Sequence, residues 1–313
     1  MAARMVVLAY FDGRGSTAIL DALAAGLLPP AIPVHVGTYG ISPAFGNAVA
    51  EVPGAVYAPM FPIRESAFWT GRKVPPDEER LLPPRWRGPL PSLPALLAAP
   101  AATRLAWGTE LGRRFRDALR RAPQVRSWQF DEIVSQVAVD RPWRDVVRGI
   151  LEGLAHGRPK LGDGLQPGVV WMARHAFPLA SQPVGTELQR FWQAAEHATA
   201  HLAGEEYPEF VSDPRAAARA LDAGRRALLA GGPVRRALGQ RYVAGLSPGV
   251  EVRPGLGGNV AGLAPDAVHR WRQAYVSQRV ADGVAGVAVF DFRGRNGTPE
   301  TVRAVLRELA ASL

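Results

Sequence analysis

An α/β fold built as a (β/α)8 TIM barrel is predicted by three features of the chain. Short apolar runs alternate with amphipathic helical stretches from one end to the other, about eight of each. The apolar runs are of the buried type, as expected for parallel strands covered by helices. The length of 313 residues fits eight βα units as a single barrel domain over 1–313. A doubly wound sheet is the competing arrangement. Its dinucleotide fingerprint is missing, because the first strand runs into FDGRGS and not a GxGxxG turn.

The elements follow in order. MVVLAYFD (5–12) is a buried-type strand ending at an acid, and STAILDALAAGLL (16–28) is an amphipathic helix with Ser16 as its cap. IPVHVGTYG (32–40) and AVYAPMF (55–61) read as the second and third strands. The stretch 62–100, rich in Pro, Trp and Arg, cannot hold a long helix and reads as a long loop insertion. Regularity returns with a helix over 101–122, a strand over 125–133, and a helix over 142–157 with Pro142 in its first turn. GVVWMARHAF (168–177) is a strand, 185–202 a helix, and LAGEEYPEF a weak strand or loop. Residues 212–232 form a helix capped by Ser212 or Asp213. GVEVRPGLGGN (249–259) reads as the seventh strand, and 264–283 as a helix. The chain closes with a strand over 284–294 and a helix over 298–312, capped by Thr298 with Pro299 at its first position.

Composition narrows the function classes. The apolar fraction of 47% supports a full core, and no run of about 18 apolar residues suggests a membrane span. The opening MAARMVVLAYFDGRG does not have the form of a secretory signal, which leaves a cytoplasmic protein or a processed secreted form. With no cysteine there is no thiolate ligand or nucleophile. The net charge of +9 comes almost wholly from Arg on helices, the pattern of solvated helix faces, and no nucleic-acid partner is expected. Only two lysines occur, Lys73 and Lys160, both in loops, so a strand-borne Schiff base is excluded. No GxSxG elbow is present. His197 and His201 have ligand spacing but no HExxH glutamate, and a polar helix face accounts for them. No metal or other cofactor is expected.

In a barrel the chemistry sits at the C-terminal ends of the strands. Acids dominate there: Asp12, then Asp131 and Glu132, then Glu205 and Glu206, then Asp291. Alternation along SWQFDEI puts Ser127, Gln129 and Asp131 on one face, with Trp128 and Phe130 on the other. Asp131 is thereby expected to face the mouth, with Glu132 at the rim. The same argument groups Asp291 with Val287 and Val289 on the mouth side, and Tyr10 and Asp12 with Leu8. Two acids across a cleft, one protonated and one ionised, suit glycoside hydrolysis, and aromatic side chains suit sugar rings. The candidate catalytic residues are Asp131, Glu132, Glu205 and Glu206. Tyr10, Asp12, Gln129, His175, Asp291 and Trp69 are the candidate substrate contacts.

Three segments carry a family resemblance: VVLAYFDG at the first strand, the acid-terminated fourth strand, and GVAGVAVFDFRG as the last strand. They resemble the TIM-barrel glycoside hydrolases, most nearly the chitinase-like group. The resemblance implies a carbohydrate substrate and paired carboxylates at the barrel mouth. Where that group carries DxxDxDxE on its fourth strand, this chain has Ser127, Gln129 and Asp131, with Glu132 one step off. The resemblance therefore sets a class and no single family. A non-catalytic, carbohydrate-binding relative of the same fold is the alternative.

Overall fold

A computed structural model describes residues 6–11, 14–38, 40–62, 93–133, 141–155, 164–173, 178–183, 185–206, 213–246, 265–291 and 299–312. Among the described residues, nine strand segments form one parallel sheet. They are β1 (Val6–Phe11), β2 (Val34–Gly37), β3 (Ala55–Tyr57), β4 (Met60–Pro62), β5 (Gln129–Ile133), β6 (Gly168–Ala173), β7 (Thr199–Glu205), β8 (Tyr242–Leu246) and β9 (Gly286–Asp291). Their order is β3-β2-β1-β9-β8-β7-β6-β5-β4.

The two ends of that list are one barrel strand. β3 pairs with β2, β4 pairs with β5, and only Ala58 and Pro59 separate them. Proline cannot donate to a ladder, so the strand breaks there. The backbone still bonds to both sides: Ala58 N donates to Val36 O (2.9 Å), and Gln129 N to Pro59 O (2.9 Å). The sheet therefore closes into an eight-stranded TIM barrel, with β3 and β4 as its third strand.

The helices are α1 (Arg14–Ala24), α2 (Pro43–Ala50), α3 (Leu93–Ala98), α4 (Ala101–Arg120), α5 (Arg141–Ala155), α6 (Pro178–Ser181), α7 (Thr186–Ala198), α8 (Pro214–Leu221), α9 (Ala223–Leu229), α10 (Pro233–Gln240), α11 (Pro265–Ala281) and α12 (Pro299–Ser312). Alternation along the strands divides the core in two. Val7, Ala9, Val36, Trp128, Phe130, Val170, Met172, Leu202, Tyr242, Val287 and Val289 pack outward against helices. Val6, Leu8, Met60, Val169, Trp171, Ala203, Val243 and Ala288 fill the lumen. The barrel is thus a packed core, with its site at the rim.

Several boundaries differ from the sequence reading. The helix expected over 185–202 ends at Ala198, and Thr199–Glu205 is a strand. His197 and His201 consequently lie on different elements. The helix expected over 212–232 is two, α8 and α9, and α10 follows them unannounced. The strand between β7 and β9 is Tyr242–Leu246, earlier than the expected 249–259, which lies outside the described residues. Its sequence YVAGL is only five residues long and has no apolar-polar alternation, so it gives little strand signal. Asp213 does cap α8, accepting from Arg215 N and Ala216 N at 3.2 Å each. Pro299 opens α12 as expected.

Helices α4 and α5 cross at very close range. Gly108 and Gly112 on α4 face Gly149 and Gly153 on α5. A Cβ at Gly112 would lie 2.1 Å from Ile150 O, and one at Gly149 would lie 2.4 Å from Leu105 O. The pair is also clamped by Arg104, whose Nε and Nη2 donate to Asp145 Oδ2 at 3.1 and 2.6 Å.

Candidate active site at the barrel mouth

The strand ends β5, β6 and β7 bring the described candidate positions together. β5 and β6 fall out of step between Phe130 and Ile133, because Phe130 is level with Val170 and Ile133 with Met172. Asp131 and Glu132 together stand opposite the single residue Trp171. Such a bulge re-aims side chains and is common beside active sites. It also interrupts the alternation expected to separate Asp131 from Glu132. Counted forward from lumen-facing Gln129, Asp131 falls on the lumen side; counted back from Ile133, level with outward Met172, so does Glu132. Their side chains lie outside the described residues.

β7 carries His201, Ala203 and Glu205 at alternate positions, and Ala203 is in the lumen. Glu205 therefore belongs to the lumen side at the C-terminal end, level with Ala173 of β6, and is 5% exposed. Immediately after it the chain turns: Glu206 N donates to Gly204 O at 2.9 Å, closing a three-residue turn around Glu205.

Glu206 is directed the other way, into the helix layer, and is fully buried. Its Oε1 accepts from Tyr242 Oη (2.7 Å) and Arg279 Nη2 (2.8 Å), and its Oε2 accepts from Tyr275 Oη (2.6 Å). Arg279 Nη1 in turn donates to Asp222 Oδ1 at 2.6 Å. Burial raises the Glu206 pKa above the usual carboxylate range, against the opposing pull of Arg279, Tyr275 and Tyr242. Burial works against the Arg279 charge, but Glu206 beside it and the two phenols raise its pKa. The expectation that Glu206 shares the mouth with Glu205 is thus corrected: its carboxylate is consumed behind the strand.

Gln129 likewise lies inside the barrel. It is 0% exposed, accepts from Trp171 Nε1 at 2.9 Å and donates to Ala58 O at 3.1 Å. Gly37 makes room for it, since a Cβ there would lie 2.6 Å from Gln129 Nε2. The expected substrate contact is therefore an internal strut. Ser127 is also fully buried, and its Oγ donates to Pro167 O at 3.3 Å. Trp128 packs outward, and Trp171 is in the lumen.

The last strand reverses one expectation. Val287 and Val289 pack against helices, while Ala288 is in the lumen. The position of Asp291 shares the outward count, and its side chain lies outside the described residues. Tyr10 is level with Gly37 and with Phe290, on the lumen count with Leu8; its side chain is also outside that set. Asp12, Trp69 and His175 fall outside the described residues altogether.

Sequence reasoning passed over one lumen feature. His35 on β2 and His201 on β7 meet edge to face with ring centroids 6.5 Å apart. The Nδ1 of each is buried without a hydrogen-bond partner among the described residues. Burial, and then the proximity of His201, lowers the His35 pKa to about 4. Burial lowers that of His201 as well. The signal available is alternation along VHVG and TAHLAGE, the second of which pairs as a strand. No group of three or more metal-binding side chains occurs among the described residues.

The fold places the chain among TIM barrels. It superposes on the catalytic domain of a family GH18 chitinase from the fern Peteris ryukyuensis with a TM-score of 0.51 at 11% identity, covering 98% of this chain and 100% of that one. A GH18 chitinase from Pseudoalteromonas aurantia gives a TM-score of 0.51 at 10% identity, with coverage of 97% and 99%. The resemblance to TIM-barrel glycoside hydrolases seen in the three sequence segments is therefore matched by the architecture. No protein-family profile matches the chain, and no curated protein matches its sequence. No helix among the described residues is long and apolar enough to cross a membrane.

Proposed function

We propose that the chain is a glycoside hydrolase-like enzyme, a single barrel over 1–313, acting on a carbohydrate through carboxylates at the barrel mouth. The observation that carries this reading is the placement of Glu205. It ends β7 on the lumen side, two strands from the β5 bulge holding Asp131 and Glu132, with β6 between them. In such a pair one acid, kept protonated, gives its proton to the glycosidic oxygen. The other, ionised, either attacks the anomeric carbon or activates water. Glu205 supplies one of the two, and Asp131 or Glu132 the other. Tyr10, Asp12, His175 and Trp69 are proposed to line the sugar site. The architectural likeness to chitinases supports this class of substrate.

The test replaces Asp131→Asn, Glu132→Gln and Glu205→Gln one at a time and assays turnover of a panel of glycosides and chitin oligosaccharides. Loss of at least about 100-fold in Glu205→Gln and in one of the other two is expected, the scale of removing a positioned acid or base. Undiminished turnover in all three sinks the assignment. Binding of an oligosaccharide with no turnover in the parent protein favours the non-catalytic relative instead.

A further inference from the structure

We propose that Glu206 is a positioning residue: the buried clamp on its carboxylate fixes the turn that presents Glu205 to the mouth. The inference rests on the proposed role of Glu205. Three observations combine. Glu205 is the central residue of the turn closed by Glu206 N and Gly204 O, so its direction depends on where its two neighbours are held. Gly204 is held from one side by β8: a Cβ at Gly245 would lie 2.2 Å from Gly204 O and 3.1 Å from Glu206 N, so the turn fits only against a glycine. Glu206 is held from the other side by Tyr242 of β8 and by Tyr275 and Arg279 of α11, all three bonds between 2.6 and 2.8 Å.

The clamp itself is anchored. Arg279 reaches Asp222 between α8 and α9 at 2.6 Å, and Asp222 also meets Arg225 Nε at 3.4 Å. Arg225 donates to the backbone of Asp282 just past α11. The group therefore ties the end of β7 to β8 and to helices on both sides. Burying so many charges gains little stability over an apolar packing of the same shape. What it provides is a fixed direction, because every bond to Glu206 has a defined angle and length. An acid that must meet a glycosidic oxygen within hydrogen-bond reach needs that constraint, since small misplacements at a reacting centre cost large factors in rate.

The experiment uses Tyr275→Phe and Tyr242→Phe, singly and together, in the full chain. Each removes one donor to Glu206 without touching the mouth, and Glu206→Gln serves as a third, isosteric variant. Two readouts are taken. The first is kcat and KM on whichever glycoside the parent protein turns over; a fall in kcat of about tenfold with KM unchanged is expected for the double variant. The second is the carboxyl titration of Glu205 by 13C NMR, assigned by its loss in Glu205→Gln. A shift of about half a pH unit or more is expected when the clamp is loosened. A folded double variant with parental kcat and an unmoved Glu205 titration overturns the inference. If the parent protein turns over no glycoside, the hydrolase reading fails by itself, and the titration alone still decides whether Glu206 positions Glu205. If the double variant does not fold, the Tyr275→Phe titration is decisive in the same way.

Discussion

His35 and His201 touch across the middle of the barrel although they stand on diametrically opposite strands. From β2 to β7 is four steps around the ring in either direction, yet the ring centroids are 6.5 Å apart. Only the lumen can bring them together. Both imidazoles are held neutral by burial, and neither Nδ1 is bonded among the described residues.

Acid should therefore weaken the fold in a defined window. The folded His35 pKa of about 4 lies below its usual 6.5, so the unfolded chain binds the proton first. The contribution is fully present above about pH 6.5 and is lost as the pH falls toward 4. A displacement of this size corresponds to on the order of 3 kcal/mol. Chemical denaturation of the parent protein and of His35→Leu across pH 4–8 reads it. The stability gap between the two should shift by that amount over the window, and pH-parallel curves would count against the pair.

The α4–α5 crossing should not tolerate alanine. In an exposed helix Gly→Ala stabilises by up to about 1 kcal/mol. At Gly112 the added carbon would meet Ile150 O at 2.1 Å, backbone against backbone, with no flexible group to yield. The sign should invert, with Gly112→Ala and Gly149→Ala each losing about 1–3 kcal/mol in urea unfolding. A gain in stability in either would show that the helices can separate at no cost.

Gln129→Leu should be destabilising even though it removes a polar group from the lumen. The amide is shared between Trp171 Nε1 and Ala58 O, and leucine would remove both bonds. Losing two buried bonds costs about 2–4 kcal/mol together. The double variant Gln129→Leu, Trp171→Phe removes the donor as well and should recover part of the loss; equal stability of the two variants would argue that Trp171 finds another acceptor.

Asp145→Ala should cost more than the double replacement Arg104→Met, Asp145→Leu. The single change strands a buried guanidinium held by Asp145 and by the carbonyls of Leu97 and Ala99, at about 3–5 kcal/mol. The double change removes the charge along with its partner. Thermal unfolding midpoints order the two, and the reverse order would show that Arg104 is satisfied by the carbonyls alone.

Much of the fold was legible in the chain because its cause is local. The alternation of buried-type runs with amphipathic helices predicts a parallel α/β barrel, and Asp213 and Pro299 mark helix starts through chemistry confined to one turn. Alternation also sorted Trp128 and Phe130 outward and Gln129 inward. The reading faltered where the signal was weak or nonlocal. YVAGL is too short, and too lacking in alternation, to announce β8. The apolar, His-bearing end of the 185–202 segment fits helix and strand periods alike, and its strand character comes from pairing with β6 and β8.

The sequence by itself determined the architecture and the concentration of acids at strand ends, since period, length and turn chemistry are written residue by residue. Tertiary structure decided the setting of the acids on β5 and at the end of β7. One extra residue in β5 cancels the parity that would have separated Asp131 from Glu132. Pairing of 199–205 as a strand puts Glu205 on the lumen side and Glu206 in a clamp of two tyrosines and an arginine drawn from β8 and α11. Those partners lie 36 to 73 residues away in the chain, and only the closing of the barrel brings them to the same carboxylate.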